Sequence, residues 1–445
     1  MSGLFICALL ASSSLAATLP SPTPDQLTWS EWELGAIIHF NMATYLSGDG
    51  CAFPGSGVPS PSLFDPTKIN TDQWAEAFKA FGARYAVLVV KHNCGFTLWP
   101  SNVTIPGVNI PYNYSVRQSP SPSSDVVRAF VDSCRKAGVM PGFYYSVVHN
   151  YFLNVGAGKK VLNKLMPGMV NVTMEQYYEV VLAQLTELWT QYGQLAEVWF
   201  DGGYQADLKA NLSAMISKMQ PHATAFNGYG LSPNCIRWIG TEAGRAPDPN
   251  WSTGTSGGGD PSSTVWCPAE CDTTLQDNDH WFYSSTEGIR SLDELIGVYH
   301  STVGHNGNLL LDFTPDKDGL IPDDHMKRYQ ELGDFIRQCY GKPVKSTNGS
   351  GTTYAIELNP PATIDRVVLE EDQTHGQTVR AYSVQLQPAA NAAPVMAING
   401  SSIGNKKIVL LPAAASYSKV MLSITSSVAT PVIRHFGVYQ CSSSY

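Results

Sequence analysis

Residues 85–92 read YAVLVVKH, a short run of mostly apolar, β-branched-rich residues that ends in two basic side chains. Runs of this length and composition are typical of strands buried on both faces. Similar runs between residues 30 and 340 lie at 35–40, 140–146, 196–201, 223–227, 236–242 and 307–313. Segments with helical spacing of apolar residues lie at 72–81, 124–137, 174–192, 207–219, 291–303 and 323–339. This alternation predicts parallel strands covered by helices.

An α/β chain of this kind forms either a closed barrel or an open, doubly wound sheet. The first predicted strand is not followed by a glycine-rich dinucleotide fingerprint, which counts against the Rossmann type of open sheet. We therefore predict a (β/α)8-like barrel. Residues 243–290 interrupt the alternation with glycines, prolines and little helical period, and we expect a long irregular connection there.

The pattern changes after residue 346, where short strand-like runs are bounded by Pro, Gly and Asn. These runs lie at 353–358, 364–370, 379–387, 394–398, 406–411, 417–425 and 432–440. They predict a β-sandwich of about 100 residues. We place the barrel domain at 18–342 and the C-terminal β-sandwich at 343–445. The sandwich is expected to support the barrel, with carbohydrate binding as the alternative.

Composition and charge narrow the classes of function. With 43% hydrophobic and 15% charged residues, the chain can bury a large core and differs from disordered or fibrous proteins. Its formal net charge of −9 gives no electrostatic basis for binding phosphate backbones or anionic lipid. We expect neither nucleic acid nor a membrane among its partners.

The first 17 residues predict entry into the secretory pathway. A short apolar run leads to small residues that end in Ser14-Leu15-Ala16, as in a secretory signal peptide, with a buried helix as the alternative. Asn-x-Ser/Thr triplets, the acceptors of N-linked glycans, occur at Asn102, Asn113, Asn171, Asn211, Asn250, Asn348 and Asn399. Together these features predict a secreted, extracellular glycoprotein.

Eight of the nine cysteines lie beyond the predicted signal peptide, an even number that permits disulfides in an oxidising compartment. Cys267 and Cys271 form a CxxxC pair that could be a local disulfide or two free thiols. A metal site is less favoured because no second Cys/His pair at zinc spacing accompanies it. We predict no metal and no cofactor.

Polar side chains stand at the ends of several predicted strands, where a barrel places its active site. Asp201 follows an apolar, aromatic run and precedes Gly202 and Gly203, and Glu242 ends a later strand in a similar way. Each carboxylate could instead cap the turn after its strand. Two carboxylates at one barrel mouth suit glycoside hydrolysis, in which one acts as nucleophile or base and the other as acid.

Three ordered motifs resemble those of glycoside hydrolase family 29, the α-L-fucosidases. They are Lys91-His92-x-x-Gly95-Phe96-x-Leu98-Trp99-Pro100-Ser101, Val198-Trp199-Phe200-Asp201-Gly202, and Gly307-Asn308-Leu309-Leu310-Leu311 with Pro315 and Gly319 following. The resemblance covers roughly residues 28 to 340 and extends to the layout of the downstream β-domain. The His39 segment and the stretch from Trp238 to Gly244 look most like the branch that prefers α-1,3/1,4-linked fucose, which includes plant enzymes.

The resemblance implies a role for individual residues. Asp201 matches the family's nucleophile and Glu242 the acid/base of that branch. Positions in the sugar pocket are matched by His39, His92, Trp99, one of the neighbours Tyr144 and Tyr145, and, less closely, Trp281. Many relatives read His-His-Asp-Gly-Phe where this chain has His92-Asn93-Cys94-Gly95-Phe96, so Asn93 could bond a sugar hydroxyl but could not carry charge.

The expected function is therefore that of a secreted, retaining exo-α-L-fucosidase of the extracellular space or apoplast, although the sequence does not distinguish the cell wall, the apoplast and the vacuole. Its partners would be fucosylated oligosaccharides or N-glycans, and the sequence leaves its oligomeric state open. A lectin-like fucose-binding protein on a decayed hydrolase barrel is the alternative, and it would not need both carboxylates. Within the enzyme class, transfer of fucose or another exo-glycosidase specificity also remains open.

Overall fold

The computed structural model describes residues 19–51, 57–389 and 392–441 of the 445-residue chain. The predicted signal peptide, residues 1–17, lies outside the described residues. In the described ranges, no helix combines the length and the apolar character that crossing a membrane requires.

Eight parallel strands close into a barrel, so the predicted (β/α)8-like barrel is confirmed. In chain order the strands are β1 (Leu34–Ile38), β2 (Tyr85–Lys91), β3 (Met140–Tyr145), β4 (Glu197–Trp199), β5 (Thr224–Phe226), β6 (Cys235–Trp238), β7 (Ala269–Thr273) and β8 (Gly307–Phe313). Each strand lies next to its neighbours in the chain, and β1 pairs with both β2 and β8 to close the ring. The carboxyl ends of all eight strands therefore open at one mouth.

In the described residues, seven α-helices accompany the barrel. They are α1 (Pro24–Trp32), α2 (Thr71–Phe81), α3 (Val126–Ala137), α4 (Met174–Gln191), α5 (Lys209–Met219), α6 (Leu292–Thr302) and α7 (Asp323–Tyr340). The last six agree with the predicted helices. The first was not predicted because its apolar residues lack helical spacing, although Thr23 and Gln26 form a capping box at its start.

The seventh barrel strand was missed, because residues 243–290 were expected to be irregular. Its sequence, AECDT, carries two carboxylates, and all five residues are nevertheless buried. Both acidic side chains hydrogen-bond to residues of other barrel strands, Glu270 to Tyr85 and Asp272 to Trp238. The predicted irregular connection is present before this strand, since residues 239–268 run from β6 to β7 through turns and bends.

The C-terminal part forms one antiparallel sheet of six strands. They are β9 (Lys345–Ser350), β10 (Thr353–Glu371), β11 (Val379–Gln387), β12 (Met396–Gly400), β13 (Lys407–Ser427) and β14 (Val432–Tyr439). Two of these strands were each predicted as two short ones. The predicted strands 353–358 and 364–370 are both part of β10, and 406–411 and 417–425 are both part of β13. Side chains from both halves of β10, such as Ile356 and Val367, share a single core, so the sheet folds over on itself as a sandwich does.

Among the cysteines that the structure describes, two disulfides are formed, Cys51 with Cys94 and Cys339 with Cys441. Cys267 and Cys271 are buried free thiols, so of the alternatives for this pair the local disulfide is wrong. Cys267 lies in the loop before β7 and Cys271 lies within that strand, where the extended backbone carries the two side chains apart.

One predicted glycan acceptor is buried. Asn250 is 1% exposed, and its Nδ2 donates to the backbone oxygens of His305 at 2.9 Å and Asn306 at 3.0 Å. Its Oδ1 accepts from Nη2 of Arg237 at 2.7 Å. Because this amide nitrogen is fully used inside the fold, Asn250 is excluded as an acceptor in the folded chain. The other six acceptors are exposed, namely Asn102, Asn113, Asn171, Asn211, Asn348 and Asn399.

Candidate active site

A cleft with a cavity volume of about 110 Å³ opens at the carboxyl ends of the barrel strands. It is lined by Ile37, His39, Asp49, His92, Tyr144, Trp199, Asp201, Glu242, Asp272 and Trp281. Six of these residues were predicted from the sequence, and they come from six separate strands or loops. The closed barrel brings them together at one point, as the prediction required.

Asp201 lies just beyond β4 and faces Tyr144, whose hydroxyl donates to Oδ2 at 2.6 Å. The Tyr144 ring stacks on Trp199 with 5.2 Å between the ring centroids, which fixes the direction of the phenol. The turn after Asp201 is closed by the backbone, with the N–H of Gly203 donating to the oxygen of Phe200 at 3.0 Å. The carboxylate is therefore free of the turn-capping role that was its alternative.

Glu242 is exposed at the rim of the cleft, in the loop that follows β6. Its Oε2 accepts a hydrogen bond from Nε1 of Trp281 at 3.2 Å. Trp281 comes from the loop after β7, so two different loops meet at this carboxylate. Both Asp201 and Glu242 act electrostatically on His39, where their negative charges oppose the effect of burial on the histidine.

His39 and His92 form the side of the cleft near β1 and β2, with 6.4 Å between their ring centroids. Burial lowers the pKa of His39 to about 4 and that of His92 to about 3, so both rings are neutral above about pH 5. Nδ1 of His39 lies 2.8 Å from Oδ1 of Asp312, whose own pKa is raised by burial. The opposite directions of these shifts favour a neutral hydrogen-bonded pair, which orients the His39 ring.

Among the described residues, no partner reaches the buried Nδ1 of His92. Buried polar nitrogens are normally hydrogen-bonded, so this unpaired atom is unusual. The His92 ring itself lines the cleft, where it can meet a hydroxyl group. A neutral imidazole can offer a donor at one nitrogen and an acceptor at the other. The site therefore combines two carboxylates with two uncharged rings that suit a polyhydroxylated ligand.

Two of the sequence-predicted pocket residues lie outside the cleft. Tyr145 points away from its neighbour Tyr144, as alternation along a strand requires, and its hydroxyl donates to Oε1 of Gln184 at 2.6 Å. Trp99 is 1% exposed, and its Nε1 donates to Oε2 of Glu187 at 2.8 Å. Both side chains pack against α4, so of the two tyrosines only Tyr144 faces the cleft.

Asp49 and Asp272 line the cleft and were not predicted. Asp272 is 4% exposed on the missed strand β7, and Nε1 of Trp238 donates to its Oδ1 at 2.7 Å. The period-two placement of Glu270 and Asp272 in this segment is the signal that could have identified them as inward-facing. Asp49 lies in the loop after β1, where periodicity gives no information.

A second acidic pair lies beneath the cleft inside the barrel. Glu197 and Glu270 are both 0% exposed, and burial raises the pKa of Glu270 to about 7 and also raises that of Glu197. Glu270 accepts from the hydroxyl of Tyr85 at 2.6 Å and from Nε1 of Trp199 at 3.2 Å. Since Trp199 lines the cleft, Glu270 holds one of its walls in place.

Asp272 is expected to make stability depend on pH. Burial raises its pKa to about 8, so between about pH 4 and pH 8 the folded chain retains a proton that the unfolded chain releases. The contribution of Asp272 to stability therefore falls as the pH rises through this window. In Asp272→Asn this component is absent, so the melting temperature should fall less between pH 5 and pH 8 than in the wild type. The contribution of Asp272 to the free energy of unfolding changes by at most about 1.4 kcal/mol for each unit by which its pKa differs between the folded and unfolded chains.

Melting curves recorded by calorimetry between pH 5 and pH 8 would check this expectation. Asp279→Asn is the matched control, because Asp279 is exposed in the loop after β7 and lies outside the cleft lining. Its melting temperature should follow that of the wild type. Parallel curves for Asp272→Asn and the wild type would contradict the assignment of a buried, protonated carboxyl group.

Comparison with known proteins places the chain in a family. The family model described as Alpha-L-fucosidase matches residues 59–342. Alpha-L-fucosidase 1 of Arabidopsis thaliana is 25% identical over 477 aligned residues, which cover 95% of this chain and 88% of that protein.

Solved structures of glycoside hydrolase family 29 superpose on this chain. A glycoside hydrolase 29 family member from an unknown rumen bacterium superposes with a TM-score of 0.81 at 28% identity, covering 96% of this chain and 78% of that one. A Ruminococcus gnavus glycoside hydrolase 29 fucosidase, solved in complex with fucose, shares the fold with a TM-score of 0.79 at 20% identity. That superposition covers 97% of this chain and 98% of the bacterial one.

Proposed function

Since the chain belongs to the α-L-fucosidase family, glycoside hydrolase family 29, we propose that it releases α-1,3- or α-1,4-linked L-fucose from branched glycans with retention of configuration. The observation that carries the proposal is the presence of Asp201 and Glu242 in one cleft, together with the neutral rings of His39 and His92. Membership in a family of hydrolases counts against the lectin-like alternative. The linkage preference is supported by the resemblance of the segment from Trp238 to Gly244 to the α-1,3/1,4-specific branch.

In the first step, Asp201 attacks the anomeric carbon of fucose while Glu242 donates its proton to the glycosidic oxygen. The bond from carbon to the Asp201 carboxylate forms as the bond to the leaving oxygen breaks, and the aglycone departs as an alcohol. The Tyr144 hydroxyl, 2.6 Å from Oδ2, holds the carboxylate so that one oxygen faces the sugar. Two displacements at one carbon return the original configuration.

In the second step, the Glu242 carboxylate removes a proton from water, which attacks the anomeric carbon of the fucosyl-enzyme. The carbon–Asp201 bond breaks, fucose leaves and Glu242 is again protonated, so both carboxyl groups return to their starting state. Trp281, which donates to Oε2 of Glu242 at 3.2 Å, orients this residue for both proton transfers. The exposure of Glu242 at the rim suits a group that must meet both the aglycone and water.

Five other lining residues bind the sugar. His39 and His92 would bond fucose hydroxyls as uncharged donors and acceptors, while Ile37 and Trp199 offer apolar surface to the 6-methyl group. Asp272, held protonated by burial, could donate a further hydrogen bond. Fucose is itself uncharged, so neutral groups bind it without the cost of burying an unpaired charge.

We also propose that the protein is secreted. The predicted signal peptide and six exposed glycan acceptors support this, and the two disulfides are typical of an oxidising compartment. Under this proposal the substrates are extracellular fucosylated oligosaccharides or N-glycans.

The test is fucose release by the wild-type protein from three substrates. These are a branched α-1,3/1,4-fucosylated trisaccharide, an α-1,2-fucosylated trisaccharide and an aryl α-L-fucoside. We expect release from the branched trisaccharide, much slower release from the α-1,2-linked one, and α-L-fucose as the first anomer seen by NMR. Preference for the α-1,2 linkage would refute the branch assignment, β-fucose would refute retention, and binding without release would establish the lectin alternative.

A further inference from the structure

Residues 46–51, here called the strap, follow β1 and carry Asp49 into the cleft. Oδ1 of Asp49 accepts from two consecutive backbone N–H groups, those of Trp281 at 2.9 Å and Phe282 at 3.0 Å. Its Oδ2 lies 3.4 Å from Nδ1 of His280. One carboxylate of the strap thus contacts three consecutive residues of the loop that carries Trp281.

The strap is fastened to the end of β2 by a covalent and a polar contact. Cys51 forms a disulfide with Cys94, and the N–H of Cys51 donates to Oδ1 of Asn93 at 3.1 Å. The two strands β1 and β2 are neighbours in the barrel, so the strap is fixed close to the mouth at both ends.

These contacts give Asn93 and Cys94 roles in holding the strap. Oδ1 of Asn93 accepts from the N–H of Cys51, and Asn93 is absent from the cleft lining. Cys94 supplies the disulfide. A β-carbon at Gly50 would lie 2.5 Å from Nδ2 of Asn93, so the strap and Asn93 are in close contact.

The loop held by Asp49 in turn holds Glu242. Nε1 of Trp281 donates to Oε2 of Glu242 at 3.2 Å, and Glu242 is otherwise exposed at the rim. In the described part of the chain, this is the hydrogen bond that orients the Glu242 side chain. A continuous path therefore runs from Cys94 through Cys51 and Asp49 to the indole that contacts Glu242.

We propose that Asp49 is a positioning residue for Glu242 and that the Cys51–Cys94 disulfide keeps it in place. The proposal rests on the role given above to Glu242 as acid/base. Without Asp49, the backbone at Trp281 and Phe282 loses its acceptor, and the indole no longer directs Glu242 toward the glycosidic oxygen. Small displacements of a proton donor reduce the rate of transfer strongly, because the reacting atoms must be held in line.

The position of Trp281 also affects sugar binding, since its ring lies 5.0 Å from that of His39. A damaged fucose pocket would slow every fucoside to a similar extent. A displaced proton donor would slow only substrates whose leaving group needs a proton. The two effects are therefore distinguishable by comparing leaving groups.

The experiment compares kcat/KM for the branched fucosylated trisaccharide with that for 2-chloro-4-nitrophenyl α-L-fucoside, whose phenolate leaves without a proton. We expect Asp49→Ala to lower the trisaccharide-to-aryl ratio by about 10-fold or more, and Asp49→Asn, which keeps an acceptor oxygen, by less than about threefold. Cys51→Ser combined with Cys94→Ser should lower it in the same direction as Asp49→Ala. The ratio is independent of the fraction of folded enzyme, because both substrates report on the same sample.

Asp65→Ala is the matched control, since Asp65 is exposed in the same connection between β1 and α2 and lies outside the cleft lining. Its ratio should equal that of the wild type. An unchanged ratio in Asp49→Ala would overturn the proposal, whether both substrates lost activity equally or neither did. Glu242→Ala tests the acid/base role separately from the positioning role of Asp49. If Glu242→Ala leaves the ratio unchanged, the acid/base assignment fails. If Glu242→Ala lowers the ratio and Asp49→Ala does not, only the role of Asp49 is refuted.

Discussion

Replacing Asp201 with asparagine is expected to lower kcat for an aryl α-L-fucoside by about 10³- to 10⁵-fold. The amide has the size of the carboxylate, and its oxygen can still accept the hydrogen bond that Tyr144 donates at 2.6 Å. It lacks the charge needed to attack the anomeric carbon and to stabilise an oxocarbenium-like transition state. The melting temperature should therefore stay near that of the wild type while turnover is lost.

Steady-state kinetics of purified Asp201→Asn, with its melting curve, would check this. Asp207→Asn is the control, because Asp207 is an exposed aspartate a few residues later in the same connection. Activity of Asp201→Asn within about tenfold of the wild type would mean that another group is the nucleophile, given the size of effect expected for such a residue.

Replacing Glu242 with alanine is expected to have the second largest effect, and one that depends on the leaving group. Release from the branched trisaccharide should fall by about 10²- to 10⁴-fold, because the alkoxide leaving group needs the proton that Glu242 donates. Formation of the fucosyl-enzyme from 2-chloro-4-nitrophenyl α-L-fucoside should be much less affected. Its breakdown should be slow, since the base that activates water is also removed.

Azide provides an independent check of both assignments. A small anion needs no base, so azide should restore turnover of the aryl fucoside by Glu242→Ala and give α-L-fucosyl azide, with configuration retained through two displacements. In Asp201→Ala, azide can attack the bound substrate directly in the space of the lost carboxylate, which gives the inverted β-anomer. The product anomers are read by NMR, and the same anomer from both variants would contradict the two assigned roles.

Most of the barrel could be predicted from the sequence, because strands buried on both faces need continuous apolar runs. The strand Ala269–Thr273 is the exception, since Glu270 and Asp272 lie inside the barrel and are stabilised there by Tyr85 and Trp238. A local pattern cannot supply partners that come from distant strands. For the same reason, two long C-terminal strands were each predicted as two short ones. Whether a strand continues through a polar bend depends on hydrogen bonds to the neighbouring strand, which a local pattern does not contain.

Some residues of the candidate site could be predicted from the sequence and others could not, because only some of their positions depend on local sequence. Residues at strand ends, such as His39 and Asp201, could be located because the closed barrel determines where strand ends point. Asp49 could not be, because it reaches the cleft through a loop whose course is set by a disulfide and by contacts with another loop. Tyr144 and Tyr145 show the finer difficulty, since choosing between adjacent residues requires the register of the strand as well as its position.

The disulfide between Cys339 and Cys441 has a consequence for the integrity of the molecule. It joins the last turn of α7 to the residues just after the final strand, and it encloses a segment with a sequence separation of 102. The whole C-terminal sheet is therefore a covalent ring closed at the barrel surface. A protease that cuts the backbone once anywhere in this ring leaves both fragments attached, so release of the sheet requires either two cuts or a cut together with reduction. Closing so long a ring also removes conformational freedom from the unfolded chain, a stabilisation of about 4.7 kcal/mol in the chain-entropy treatment.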